Sequence, residues 1–86
     1  MGNISFTEEG WEDYLYWQGQ DKRTLRRINL LLRDILRGGH QGIGKAEPLR
    51  GELSGFWSRR IDEENRLTYA VEQDVVVIIA CKGHYK

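Results

Sequence analysis

The hydrophobic pattern of this chain changes its period once, and the change separates two kinds of secondary structure. Between residues 8 and 37, apolar side chains recur every three or four positions, which is the period of an amphipathic helix. After residue 55 they form three short runs that are typical of strands. The connecting residues 38–55 hold six of the ten glycines and Pro48, which favour a long loop. The pattern therefore predicts an α+β fold.

Helix boundaries are marked by residues that satisfy free backbone groups. Thr7 follows a short predicted strand at residues 4–6 and is the predicted N-cap of a first helix, which ends near Gly19. Asp21 is the predicted N-cap of a second helix, which stops at the pair Gly38 and Gly39. The short connection between the helices indicates a helical hairpin.

The three later runs are joined by connections short enough for antiparallel hairpins. The predicted strands cover residues 56–61, 66–71 and 75–82. The last run is apolar on both faces, which indicates a central strand. We expect one domain, residues 1–86, in which the helical hairpin packs on a small antiparallel sheet that the first strand makes mixed.

Size and cysteine usage bound the class of protein. At 86 residues and 10.1 kDa the chain has room for one core, which excludes a multidomain enzyme. Cys81 is the sole cysteine, so no internal disulfide can form. The longest apolar run is too short to span a bilayer, and the N-terminus lacks the pattern of a signal peptide. We expect a cytoplasmic protein without a membrane partner.

The net charge of zero conceals a polarised chain. Residues 1–21 carry five acidic and no basic side chains, whereas residues 22–60 carry ten basic and three acidic ones, a net charge of +7. Nine of the thirteen basic residues are arginine, whose planar fork suits phosphate and carboxylate groups. An anionic partner is one interpretation, and a solvated helix face paired with the acidic N-terminal segment is the other.

Two motifs in the chain have the wrong context for the sites that they suggest. Residues 39–46 match a phosphate-binding P-loop except at Ala46, but a helix precedes them and Pro48 follows. Cys81 and His84 have the spacing of half a zinc site, and the chain offers only His40 as a further soft ligand. We therefore expect neither a nucleotide site nor a metal site.

The predicted hairpin between the first two later strands carries three arginines. If residues 62–65 form the turn, Ile61 faces Arg66 and Arg59 faces Thr68, so Arg59 and Arg66 share one side of the sheet. Two such charges need an anion between them, deep solvation, or an acidic partner, for which Glu47, Glu63 and Glu64 are the candidates. A polyanion pocket and a structural ion pair remain open alternatives.

A set of groups spread along the chain could cleave RNA without a metal. They are a carboxylate in the predicted loop, the arginines of the predicted strands, and His84 and Tyr85 at the C-terminus. A base would remove a 2′-OH proton, an arginine would stabilise the charged phosphorus centre, and an acid would protonate the leaving 5′ oxygen. Tyr85 could stack on a base.

Several sequence blocks together carry a resemblance to a known family. They are WEDYLYW at residues 11–17, GIGKAEPL at 42–49, LSGFWSRRI at 53–61, residues 64–71, and the closing His84-Tyr85. On these blocks, which span nearly the whole chain, the sequence resembles the YoeB toxins of the RelE superfamily, the mRNA interferases of bacterial toxin–antitoxin pairs. The resemblance implies a RelE-like fold and a ribosome-dependent endoribonuclease that cleaves mRNA in the A site.

The resemblance also implies roles for individual residues. Glu47 is similar to the family's general base, Arg66 to its phosphate-stabilising arginine and His84 to its general acid. The implied contacts with substrate or ribosomal RNA are Lys45, Arg50, Arg59, Arg60 and Tyr85. Ala46 stands where the family often has proline, Arg50 where it has lysine, and Lys86 follows its usual terminal tyrosine.

The implied partners are macromolecules, and no cofactor is implied. They are a YefM-type antitoxin, the ribosome with its mRNA, a second copy of the chain in a homodimer, and operator DNA when the toxin is bound to its antitoxin. The competing interpretation from the basic residues is a non-catalytic module that binds RNA or ribosomes.

Overall fold

A computed structural model describes residues 2–38, 40 and 42–83. In chain order the elements are β1 (Asn3–Phe6), α1 (Glu8–Gln20), α2 (Lys22–Gly38), β2 (Glu47–Pro48), a 3₁₀ turn (Gly51–Leu53), β3 (Trp57–Arg60), β4 (Arg66–Glu72) and β5 (Val75–Ala80). The α-helices of the described residues are α1 and α2, and neither is long and apolar enough to cross a membrane.

Both predicted helix caps are present. The Thr7 hydroxyl accepts a hydrogen bond from Gly10 N at 3.0 Å, which satisfies a backbone donor of the first turn of α1. Asp21 Oδ1 accepts from Arg23 N at 3.0 Å and Thr24 N at 3.4 Å at the start of α2. Thr7 thus starts α1, and Asp21 lies in the short connection of the hairpin, as the sequence predicts.

The sheet is mixed, with strand order β1-β5-β4-β3-β2. β1 runs parallel to β5, and the other neighbours are antiparallel. β5 is an interior strand, as its apolar run predicts, although β4 occupies the middle position. β2 was not predicted, because two residues acquire strand character only through their pairing with β3. The predicted α+β architecture is confirmed.

The helices cover one face of the sheet, and the core lies between them. The side chains of α2 in this core are Ile28, Leu31, Leu32 and Ile35, and those of the sheet include Leu67, Tyr69, Val76 and Ile78. Side chains alternate between faces along a strand, so Ser58, Arg60, Arg66 and Thr68 point to the opposite face. That opposite face carries the candidate site.

The register of the β3–β4 hairpin differs from the prediction by one residue. Arg60 pairs with Arg66 and Arg59 pairs with Leu67, so Arg59 and Arg66 lie on opposite faces. The cause is the turn. Asp62 Oδ1 accepts from Glu64 N and Asn65 N, each at 2.8 Å, and Ile61 N donates to Asn65 O at 3.0 Å. The connection therefore begins at Ile61, and the prediction that Arg59 and Arg66 share a face was wrong.

Candidate active site

Glu47 and Arg66 come together on the sheet face that the helices leave open. Glu47 in β2 pairs with Ser58 in β3, and Ser58 pairs with Thr68 in β4, the strand that Arg66 begins. The Glu47 Oε1 and Arg66 Nη2 atoms are 3.9 Å apart. The Glu47 side chain is 63% exposed and that of Arg66 is 17% exposed. A carboxylate open to solvent thus stands beside a partly buried guanidinium.

Arg66 is oriented by a hydroxyl and retains a spare donor. Its Nε donates to Ser58 Oγ at 2.9 Å, which fixes the plane of the guanidinium. Its Nη2 atom is buried and makes no hydrogen bond to any described residue. A buried donor without an acceptor costs the folded state free energy. An anionic oxygen at this position would satisfy the donor, so the guanidinium is suited to a phosphate group.

The other basic residues named from the sequence surround this pair. Arg60 is exposed and lies directly opposite Arg66 in the β3–β4 ladder. Lys45 and Arg50 are exposed and flank β2, Lys45 with a positive φ of 49°. The structure thus places three exposed cations next to the elements that carry Glu47 and Arg66.

Arg59 lies elsewhere. Its side chain is fully buried on the helix-facing side, where it forms an ion pair with Asp34 of α2. Arg59 Nη1 also donates to Ile43 O at 3.0 Å, and Arg59 Nε donates to Tyr69 Oη at 3.3 Å. The substrate contact expected for Arg59 does not fit this position, because the guanidinium faces the core and not the Glu47–Arg66 face.

His84 and Tyr85 lie outside the described residues. The described chain ends at Gly83, and both backbone groups of Gly83 are engaged beside Arg66. Gly83 O accepts from Arg66 N at 3.0 Å, and Gly83 N donates to Asn65 Oδ1 at 2.8 Å. The residue that precedes His84 in the chain is therefore anchored next to the candidate phosphate-binding arginine.

Sequence reasoning missed two side chains that hold the site in place. Ser58 orients Arg66, and only the correct strand register reveals that they share a face. Asp34 forms an ion pair with Arg59. The sequence feature that could have indicated this role is that Asp34 is the only acidic residue of α2, a helix with five arginines. A single acid among many bases has a choice of partners, so the sequence alone could not identify Arg59.

The loop between α2 and β2 is packed against the sheet by a histidine. The ring of His40 stacks on Trp57, with centroids 3.6 Å apart, and His40 Nδ1 is 3.2 Å from Tyr69 Oη. Burial lowers the pKa of His40 below 6.5, and the positive charge of Arg59 lowers it further. The neutral imidazole is thus favoured where it packs.

Cys81 is not a nucleophile in this fold. Burial, together with the charge of Asp13, raises the pKa of its thiol to about 12. Its backbone N–H donates to Asp13 Oδ2 at 3.0 Å, and its carbonyl accepts from Trp17 Nε1 at 2.7 Å. Within residues 2–38, 40 and 42–83, no three His, Cys, Asp or Glu side chains are grouped so that they could hold a metal ion.

Comparisons with known proteins agree on one family. Toxin YoeB of Escherichia coli K12 is 56% identical over 82 residues, which are 95% of this chain and 98% of that protein. The YoeB–YefM complex from Staphylococcus aureus contains a chain that is 44% identical, with a TM-score of 0.91 over 99% of each chain. The YoeB dimer from the same species is 46% identical, with a TM-score of 0.90 over 96% of this chain and 97% of that one.

A family model gives the same result along the sequence. The model for the YoeB-like toxin of bacterial type II toxin–antitoxin systems matches residues 6–85. That range includes Glu47, Arg66 and the elements that bring them together. The chain belongs to the YoeB-like toxin family of bacterial type II toxin–antitoxin systems.

Proposed function

We propose that this toxin is an endoribonuclease that cleaves mRNA in the ribosomal A site by attack of a 2′-OH on the adjacent phosphate. The observation that carries the proposal is the Glu47–Arg66 pair, 3.9 Å apart on the sheet face opposite the helices, with a buried Nη2 donor that has no hydrogen-bond acceptor among the described residues. General-base catalysis and stabilisation of a charged phosphorus centre require these two groups side by side.

The roles of Glu47 and Arg66 follow from the exposure of their side chains. Glu47 is exposed enough to accept the 2′-OH proton, and the 2′ oxygen then forms a bond to phosphorus. The guanidinium of Arg66 stabilises the negative charge on the phosphoryl oxygens. The bond from phosphorus to the 5′ oxygen breaks, and His84 donates a proton to that oxygen. The products are a 2′,3′-cyclic phosphate and a 5′-hydroxyl, and the reaction needs no metal.

The remaining basic residues bind the RNA. Lys45, Arg50 and Arg60 flank the pair and contact the phosphates of the message, while Tyr85 stacks on a base. A second basic surface lies on the exposed face of α2 and contacts ribosomal RNA. It consists of Arg23, Arg26, Arg33 and Arg37. Since the ribosome is the site of cleavage, the toxin acts in the cytoplasm.

The protein partners follow from the solved relatives. The Staphylococcus aureus proteins are described as a YoeB–YefM complex and as a YoeB dimer. We infer that this chain binds a YefM-type antitoxin, that it forms a homodimer, and that the toxin–antitoxin complex binds operator DNA. Exposed aromatic and aliphatic side chains on α1 offer an apolar surface for a protein partner. They are Trp11, Leu15 and Tyr16.

The test is to read the 5′ ends of cellular transcripts after brief induction of the toxin. The wild type should produce new ends within translated codons, and Glu47→Gln should reduce their yield by about 10²-fold or more, because it removes the base. Glu52→Gln is the matched control, since Glu52 is an exposed acid on the adjacent 3₁₀ turn. It should cleave like the wild type.

A non-catalytic RNA-binding module is the second candidate, favoured by the basic face of α2. It predicts ribosome binding that weakens steeply with salt and is unchanged by Glu47→Gln, without cleaved message. Wild-type induction that leaves transcript ends unchanged would overturn the nuclease proposal and favour the binding module.

A further inference from the structure

The backbone of Ile43 is held on both sides by the ion pair of Asp34 and Arg59, in which the guanidinium is buried and the carboxylate partly exposed. Ile43 N donates to Asp34 Oδ2 at 3.1 Å, and Ile43 O accepts from Arg59 Nη1 at 3.0 Å. Asp34 comes from α2 and Arg59 from β3, and they also bind each other. The pair therefore ties a loop residue to a helix and to a strand at once. We call this set of contacts the Ile43 clamp.

The loop packs closely on the clamp at the neighbouring glycines. A Cβ atom added to Gly42 would lie 1.9 Å from Asp34 Oδ2, and Gly42 has a φ of +117°. A Cβ atom added to Gly44 would lie 3.2 Å from the Cβ of Arg59, and Gly44 O accepts from Arg60 N at 2.7 Å. The chain thus approaches Asp34 and β3 more closely than most side chains would permit.

Glu47 is four residues beyond Ile43 and enters the sheet opposite Ser58. Ser58 is also the residue that orients Arg66. The clamp, together with the hydrogen bond from Arg60 N to Gly44 O, and the two-residue strand β2 are therefore the fixed points on either side of Lys45 and Ala46. The placement of the Glu47 carboxylate relative to Arg66 depends on where the loop starts.

We propose that Asp34 and Arg59 are positioning residues that set the location of Glu47 through the backbone of Ile43. This inference rests on the proposed nuclease function. Asp34 and Arg59 contact Ile43 and Tyr69, and Arg59 points to the helix-facing side of the sheet, away from the Glu47–Arg66 face. A misplacement of about 1 Å is enough to cost about 10²-fold in the rate of a positioned reaction. Loss of the clamp should thus slow cleavage without weakening the binding of ribosomes.

Gly42→Ala is the variant that disturbs the clamp without removing either charge. Its methyl group would displace the Asp34 carboxylate from Ile43 N. Gly55→Ala is the matched control, because Gly55 has a similar φ of +99° and nothing within 4 Å of an added Cβ. Both variants carry the same backbone strain, and only Gly42→Ala meets the clamp. Asp34→Asn is a second test, in which the charge is lost and the size is kept.

The measurements are the maximal cleavage rate on ribosomes programmed with mRNA, the ribosome concentration at half-maximal rate, and amide exchange at Ile43. Gly42→Ala and Asp34→Asn should exchange Ile43 N–H faster and lower the maximal rate by about tenfold or more. The half-saturating concentration should stay within about twofold, and Gly55→Ala should match the wild type.

A double-mutant cycle separates positioning from a general effect on folding. If the clamp acts through Glu47, adding Asp34→Asn to Glu47→Gln should lower the residual rate no further. An equal loss in both backgrounds, or a Gly42→Ala variant that exchanges faster at Ile43 and cleaves like the wild type, would overturn this inference. Failure of the nuclease proposal is distinguishable, because the wild type itself would then not cleave.

Discussion

Ile43 and Cys81 are held in the same way at two distant places, and the charges that hold them differ. In each residue both backbone groups are engaged by side chains of other elements, Ile43 by Asp34 and Arg59, and Cys81 by Asp13 and Trp17. We call the second set the Cys81 clamp. In the Ile43 clamp the carboxylate of Asp34 also pairs with the cation Arg59, whereas in the Cys81 clamp the second side chain that binds Cys81 is the neutral indole of Trp17.

The pKa values of the two carboxyl groups, Asp34 and Asp13, are shifted in opposite directions. The hydrogen bond from Arg59 is the main cause that lowers the pKa of Asp34 below 3.8. Burial is the main cause that raises the pKa of Asp13 above 3.8, against the opposing effect of the hydrogen bond from Cys81 N. The ionised form is thus favoured at one clamp and disfavoured at the other, although both accept the same kind of backbone hydrogen bond.

Removing the acid of the Ile43 clamp should give the largest effect. Asp34→Ala removes the carboxylate that pairs with the fully buried guanidinium of Arg59, and loss of one partner of such a pair costs about 3 kcal/mol. The free energy of unfolding in urea measures the loss. Asp74→Ala is the control, since Asp74 is exposed, and it should stay within about 0.5 kcal/mol of the wild type. Equal stabilities for the two variants would contradict the importance of the pair.

The sequence patterns predicted the helices and their caps, but neither of the two clamps. The helices and their caps at Thr7 and Asp21 were predictable because capping depends on residues two or three positions apart. The ion pair of Asp34 and Arg59 joins residues 25 positions apart and depends on the strand register. That register is decided by the Asp62 side chain in the turn, and a shift of one residue moved Arg59 from the site face to the core.

The candidate site shows the same limit. Glu47 and Arg66 were named from the resemblance, and their proximity was not predictable from the sequence, because it arises from β2 and β4 both lying next to β3. Ser58 was missed, since its importance comes from pairing with both β2 and β4. Local periodicity finds elements, whereas contacts across strands require the register that a turn selects.

Removing the neutral donor of the Cys81 clamp should have a smaller effect. Trp17→Phe keeps an aromatic ring but deletes the Nε1–H that donates to Cys81 O, so the free energy of unfolding should fall by about 1 kcal/mol. Trp11→Phe is the matched control, because Trp11 is 47% exposed, and it should change stability by less than about 0.5 kcal/mol. A Trp17→Phe loss as large as that of Asp34→Ala would remove the distinction between the clamps.

The smallest effect is expected at acidic pH, where the contributions of Asp34 and Asp13 to the free energy of unfolding should change in opposite directions. Because the folded pKa of Asp34 is lowered, its stabilisation is complete above about 3.8 and is lost as pH falls through the folded pKa. For Asp13 the folded pKa is raised, so its favourable contribution is complete below about 3.8 and is lost as pH rises through the folded pKa.

Asn substitutions isolate these two slopes because they keep an acceptor oxygen and remove the titration. The stability advantage of the wild type over Asp34→Asn should shrink as pH falls below 3.8. The stability of the wild type relative to Asp13→Asn should instead increase as pH falls toward 3.8. Urea unfolding of the three proteins across this range measures both trends. If both stability differences changed with pH in the same direction, the hydrogen bond from Arg59 to Asp34 would not explain the electrostatic difference between the two clamps.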